Sequence, residues 1–184
     1  MSLTNPYKNI KQHTRISLDA SHMNSNIKDN LLTILKKKIE KKCNKSGFID
    51  EIFRLLEFSD GIMCPENLSG NALYNIIYYC RICIPIENTI NVALIRTVNL
   101  ELIIAMNGPI VYFITKDNIN EENWTKSESY YDKKTKKKLD VGMYVKIRIL
   151  SKRINYNDTQ IKIIGEMLDF ASDDEISNYF GSGN

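Results

Sequence analysis

Between Asp140 and Asp169 the chain alternates with a period of two. Met143, Val145, Ile147 and Ile149 interleave with Tyr144, Lys146, Arg148 and Leu150, and Ile161 and Ile163 resume the alternation after a turn around Asn155 to Asp158. That period describes strands with one buried face, so the segment predicts a hairpin. Its outward face carries Lys146, Arg148, Lys152, Arg153 and Lys162 beside Tyr144. Cations mixed with an aromatic suit a phosphate backbone with bases stacked against it, although strand faces are also made basic for solubility alone.

The pattern turns helical between Asn24 and Lys42, where Ile27, Leu31, Ile34, Leu35 and Ile39 share a face. Asn24 is the expected N-cap, and Lys36 to Lys42 complement the C-terminal end of the dipole. Thr14 to Leu18 and Gly47 to Phe58 read as strands, residues 1 to 12 as poorly ordered, and SDGIMCPENLSG as a long turn. From Ala72 to Ile84 both the even positions (Tyr74, Ile76, Tyr78, Cys80, Ile82) and the odd ones (Leu73, Ile77, Tyr79) are apolar. A strand of that kind is expected to be covered on both faces, as core or subunit interface.

Pro85 marks a boundary. After it, Thr89 to Val98, Leu100 to Met106 and Ile110 to Thr115 read as strands, with a turn at Asn107, Gly108 and Pro109. With the hairpin they make the five strands of a small OB barrel. The fold class is therefore α+β: a small α/β domain over residues 1–85, then a five-stranded OB-fold β-barrel over 86–184. Lys116 to Leu139 is polar, holds Trp124, Tyr130 and Tyr131, and ends in Lys133, Lys134, Lys136, Lys137 and Lys138; it is either a flexible surface loop or an arm that contacts nucleic acid. The tail FASDDEISNYFGSGN turns acidic, loses its period and is expected to be mobile.

Composition narrows the class of function. With 43% hydrophobic and 26% charged residues in 184 positions, the chain reads as a soluble globular protein. The net charge of +3 is mild, but lysines cluster at 36–45 and 133–138, and clusters govern polyanion binding more than totals do. No run of about 18 apolar residues suggests a membrane span, and MSLTNPYKNI lacks the apolar core of a signal peptide. Cys43, Cys64, Cys80 and Cys83 are expected as free thiols: Cys80 and Cys83, three apart on a strand, point to opposite faces, and with no second close pair in the sequence a shared metal is not expected. His13 and His22 stand in no motif with a nucleophile or metal-ligand set, and Asp173, Asp174 and Glu175 fall in the expected mobile tail. No enzyme, metal or cofactor is expected.

The segments CNKSGFIDEI, GIMCPENLSGNALYNIIYYCRICIP, NGPIVYFIT and DVGMYVKIRILSKRINYNDTQIKIIGEMLD follow one another in an order and spacing that resembles the stalk subunit of multisubunit RNA polymerases, the family of the larger stalk protein of eukaryotic RNA polymerase II and its archaeal counterpart. The resemblance covers roughly residues 12–170. It is most specific at Gly61, Pro65 and Gly70, at Gly108-Pro109, and at Gly142, Arg148, Arg153 and Gly165. It implies a tip domain that docks on the polymerase core and pairs with a small helical stalk partner, and an OB domain that binds emerging single-stranded RNA. By resemblance, core docking falls to Gly61, Pro65, Glu66, Asn67 and Gly70. RNA binding falls to Tyr112, Lys116, Tyr144, Lys146, Arg148, Lys152, Arg153 and Lys162. The chain departs from the family at Asn99, Leu100, Glu101 and Leu102, where members often place glycine and aromatic residues, and this weakens the case for base stacking there. Abundant Ile, Asn and Lys point to an AT-rich genome. A large DNA virus is the favoured source, with the protein in the virion and host cytoplasm; an AT-rich eukaryote would place it in a nucleus. The rival function is a free-standing OB-fold RNA-binding protein in translation or RNA decay.

Overall fold

The computed structural model describes residues 3–63 and 70–181. Its first half is an antiparallel sheet with one helix on it. β1 (Tyr7–Leu18), α1 (Ile27–Ile39), β2 (Lys42–Cys43), β3 (Phe48–Phe58), β4 (Ile62–Met63) and β5 (Ala72–Cys83) arrange as β1-β5-β3-β2, with β4 also on β5. Leu31 and Leu35 of α1 bury against Ile16, Ile52, Ile76, Tyr78 and Cys80 on one sheet face. The helix is shorter than expected, and Asn24 is not its N-cap: its Oδ1 accepts from the Asn26 amide and the Asn30 side chain just before the first turn.

Two expectations for this half need correction. The segment expected to be disordered up to residue 12 is strand from Tyr7 onward, paired with β5 from Tyr7↔Cys83 to Leu18↔Ala72. Polar side chains hid it, because an edge strand is held by main-chain hydrogen bonds and needs few apolar residues. β5 is not covered on both faces by this chain. Its even residues are buried, whereas Asn75 and Ile77 are exposed and Leu73 and Tyr79 are half-buried.

The second half closes into a barrel. β6 (Ile90–Val98), β7 (Leu102–Asn107), β8 (Ile110–Thr115), β11 (Tyr144–Arg153) and β12 (Ile161–Phe170) run in the order β11-β12-β8-β7-β6, with β11 returning to β6. Every pairing is antiparallel except β12 with β8. This is the connectivity of an OB fold, and the fold is α+β as expected. Gly108, at φ +55°, makes the β7–β8 turn, a conformation that disfavours a side chain, and it abuts the Tyr7 hydroxyl. Gly165 lets β12 pass directly over Ile147.

Residues 116–139 form neither a flexible loop nor an arm. A 3-10 turn (Lys116–Asn118) leads into a hairpin of β9 (Trp124–Lys126) and β10 (Tyr130–Asp132), and Trp124, Tyr130 and Leu139 are buried in the barrel's cluster. The Trp124 indole donates to the Leu168 carbonyl at 3.1 Å and the Tyr130 hydroxyl to that of Leu100 at 2.6 Å. Four of the lysines there are engaged locally: Lys133 with the Glu121 carbonyl, Lys134 with Asp169, Lys137 over the Phe170 ring and Lys138 with Asp140. Nor is the tail without structure, since Asp173–Gly181 is a helix, α2.

The halves meet in a packed seam. Cys43, Phe48 and Cys83 join the barrel's cluster, and Thr4 and Asn157 bond main chain to main chain with Ile90 and Cys43. Cys80 belongs instead to the cluster under α1, so the two cysteines do point to opposite faces. Burial pushes the thiols of Cys43 and Cys80 up to about 11 and that of Cys83 to about 12, which keeps them protonated and inert. Cys64 lies outside the described residues. Among the described residues no helix is long and apolar enough to cross a membrane.

Beside the seam, the buried Asp50 carboxylate lies 2.8 Å from Lys41 Nζ and 2.6 Å from Arg81 Nη2. Arg81 also covers the Tyr7 ring at 5.3 Å. Burial alone would raise the Asp50 pKa, but the hydrogen bonds from Lys41 and Arg81 outweigh it and hold it below the ordinary carboxylate value. The associated stability is complete above about pH 4 and is lost as pH falls through the lowered native pKa. Asp50→Asn is therefore expected to lose about 1–3 kcal/mol at pH 7, with a flatter stability profile than wild type below pH ~4. Urea unfolding at pH 7 and pH 3 measures both, and equal stability at pH 7 would contradict the assignment.

Candidate nucleic-acid interface

The β11–β12 hairpin orders the cations predicted from sequence into two groups. Val145, Ile147 and Ile149 fill the barrel, so Tyr144, Lys146 and Arg148 form the outward row. Lys152 and Arg153 follow at the far end, where Arg153 pairs directly with Lys162 across the hairpin.

The outward row is occupied by the chain itself. Ser172 and Glu175 form a reciprocal cap for α2: the Glu175 amide donates to Ser172 Oγ at 3.2 Å, and the Ser172 amide donates to Glu175 Oε2 at 2.9 Å. The other Glu175 oxygen takes Lys146 Nζ at 3.1 Å, and Phe180 meets the Tyr144 ring edge-on at 5.8 Å between centroids. Tyr179, buried, anchors the helix through its hydroxyl, 3.0 Å from Asn107 Nδ2, while Ala171 donates to the Tyr144 carbonyl. The Ser172 amide bond and the Lys146 ammonium hold Glu175 ionised, with a lowered pKa despite its partial burial. Acidic residues in the first turn of α2 also favour its dipole.

The remaining expected RNA contacts divide sharply. Arg148 is bound to Glu166 at 2.9 Å, and its Nε is buried without a partner among the described residues. Lys152 donates to the Pro85 carbonyl at 2.9 Å and so ties the halves together. Tyr112 is fully buried and cannot stack on a base, a correction to the expected site. It donates to the Asn91 side-chain oxygen at 2.8 Å, while the Asn91 amide nitrogen serves the carbonyls of Thr4 and Ile90. Burial raises the Tyr112 phenol far above its ordinary pKa. Lys116 is exposed but pairs with Glu101 at 2.9 Å. Arg153 and Lys162 are exposed and free of ion pairs among the described residues.

Of the expected core-docking residues, Pro65, Glu66 and Asn67 lie outside the described residues. Gly61 precedes β4 and packs so close to Tyr74 that an added Cβ would stand 2.6 Å from its ring; Gly70 leads into β5 with φ +70°. Nearby, Ile62 and Met63 are exposed. The open sheet face carries Phe53, Ile77 and Tyr79, with the Phe53 and Tyr79 rings 5.6 Å apart and Arg54 over Tyr79.

Sequence reasoning missed Glu175, Tyr179 and Phe180. The signal was present: S-x-x-E at Ser172–Glu175 is a capping box, followed by apolar residues at helical spacing.

No family model matches the chain. A protein of Acanthamoeba polyphaga mimivirus, named as a DNA-directed RNA polymerase subunit, is 33% identical over 175 residues, a span that covers 94% of this chain and 87% of the mimivirus protein.

Proposed function

The chain belongs to the family of DNA-directed RNA polymerase subunits represented by the mimivirus protein, and on that premise we propose that it is the non-catalytic stalk subunit of a viral polymerase. In this reading residues 1–85 dock on the polymerase core and pair with a small helical partner, and residues 86–184 bind emerging single-stranded RNA. The observation that carries it is the pairing of a one-sided sheet with an OB barrel. α1 covers one sheet face only, and the other presents Phe53 and Ile77 exposed, with Tyr79 half-buried beneath Arg54. A free-standing OB protein has no use for such a face, whereas a subunit buries it against a partner.

For RNA, the support comes from Arg153 and Lys162 with the exposed Lys116; Tyr144 and Lys146 are covered by α2 and would join the contact only with the helix displaced. Electrostatic contacts of this kind make affinity fall steeply with salt. Virion and host cytoplasm are the proposed locations.

Affinity purification of the tagged protein from its native source, followed by mass spectrometry, is expected to recover the large polymerase subunits and a small helical protein. Recovery of ribosomes or nucleases instead would move the protein to the free-standing class. Reversal of Arg153 and Lys162 to glutamate is expected to weaken single-stranded RNA binding roughly tenfold while leaving that recovery unchanged. Equal RNA affinity would remove this face from the site.

A further inference from the structure

The β9–β10 hairpin closes against the barrel around a cleft of about 250 Å³, walled by Ile119, Trp124 and Tyr130 and rimmed by Lys116, Lys126 and Lys133. The wall is apolar in effect. Ile119, Trp124 and Tyr130 are buried, and the indole N–H and the phenol O–H already donate to the Leu168 and Leu100 carbonyls, at 3.1 Å and 2.6 Å. The volume falls below the usual range for whole small ligands and suits one or two side chains of a larger partner.

The rim holds more cations than carboxylates. Lys116 Nζ lies 2.9 Å from one Glu101 oxygen and Lys126 Nζ 3.9 Å from the other, so two ammonium groups share one carboxylate. Lys133 donates to the Glu121 main-chain carbonyl at 2.6 Å and has no carboxylate within 4.0 Å among the described residues. Glu101 sits in the turn between β6 and β7, in the segment where the chain departs from the family pattern. Its main chain is fixed, because its carbonyl accepts from the Lys116 amide at 3.3 Å and the Leu100 carbonyl accepts from Tyr130. Its side chain is 70% exposed. The hydrogen bond from Lys116, and then the charge of that lysine, hold the Glu101 carboxyl below the ordinary carboxylate value. Exposed ion pairs contribute little to stability, so a carboxylate from outside can replace this one at small cost.

Glu101 thus shows what the rim accepts: one carboxylate between two lysines. A nucleic-acid strand fits poorly, since neither ring presents an open face for stacking and the Glu121 side chain, also in the lining, repels a run of phosphates. An acidic residue beside an apolar one matches both the rim and the wall.

We propose that this cleft docks an acidic segment of a partner protein, which seats an apolar side chain against Ile119 and Trp124 and places a neighbouring carboxylate between Lys116 and Lys126, where Glu101 now stands. The site shares only Lys116 with the RNA contacts proposed above and lies on the barrel, away from the open sheet face, so it goes beyond both parts of that reading.

The test is the affinity of the full chain for a fluorescein-labelled peptide of Asp-Leu-Glu repeats and for its neutral form with Asn and Gln in place of the acids. Wild type is compared with Glu101→Gln, with the cleft double Lys126→Glu and Lys133→Glu, and with the barrel double Arg153→Glu and Lys162→Glu. The acidic peptide is expected to bind wild type about tenfold more tightly than the neutral one, and the cleft double to lose about tenfold. Glu101→Gln is expected to gain about threefold, because the internal competitor is gone. That gain is decisive, since a variant that merely loosens the fold does not bind more tightly. Equal affinity for the acidic and neutral peptides overturns the proposal, as does equal affinity of wild type, Glu101→Gln and the cleft double. Equal losses in the cleft and barrel doubles would reduce the binding to net charge, and a cleft double that loses oligouridine instead of peptide would assign the cleft to RNA; either result overturns it.

Discussion

Tyr112→Ala is expected to cost about 3–5 kcal/mol, enough to leave much of the chain unfolded if the whole fold has ordinary stability. Tyr112 is fully enclosed in the barrel, and its hydroxyl serves Asn91. Truncation removes the ring and strands the Asn91 oxygen in a dry interior, so a cavity and an unmet polar atom add together. Tyr112→Phe keeps the volume and is expected to lose only about 1 kcal/mol, with RNA affinity unchanged. Urea unfolding of the two variants, with RNA binding measured on the phenylalanine form, separates a core residue from a stacking platform. A stable alanine variant that lost RNA selectively would return Tyr112 to the binding face.

Loosening α2 is expected to raise RNA affinity. The double variant Glu175→Gln, Phe180→Ala frees the Lys146 ammonium and the Tyr144 ring, the two groups the helix occupies, but keeps Tyr179 as anchor. One unmasked cation and one stacking ring together are worth on the order of 1–2 kcal/mol, or about tenfold in affinity. The gain should be largest at low salt, where the added phosphate contact counts most. Fluorescence anisotropy against wild type gives the answer, and an unchanged or weaker affinity would mean that Tyr144 and Lys146 lie off the RNA path.

Much of the architecture was legible because its signals are local. The period of two in residues 143–149 and 161–163 marks the β11–β12 hairpin with the correct residues inward, and the 3.6-residue spacing of Ile27 to Ile39 marks α1. Tyr112 lies inside the barrel with Ile110 and Ile114, on a strand whose run IVYFIT is apolar at both parities. Reading Tyr112 as an RNA contact rested on resemblance alone, because a strand that is apolar on both faces does not tell its inward side from its outward one. The tail is the opposite case: its capping box was readable, but the acidic run around it suggested a solvated end.

By itself, then, the sequence determined α1, the five barrel strands and the inward side of the β11–β12 hairpin, because those properties arise between residues a few positions apart; β1, the β9–β10 hairpin and α2 emerged only from the packed structure. The tertiary structure alone decided which outward cations are free. Lys146 meets a carboxylate 29 positions later and Lys152 a carbonyl 67 positions earlier, and the hairpin turn at Asn157 and Asp158 is bonded to Cys43. Such pairings depend on how the barrel closes and where the halves dock. An exposed lysine and a lysine beneath a helix look the same in one dimension, because exposure and charge compensation are set by whichever distant segment the packing brings alongside.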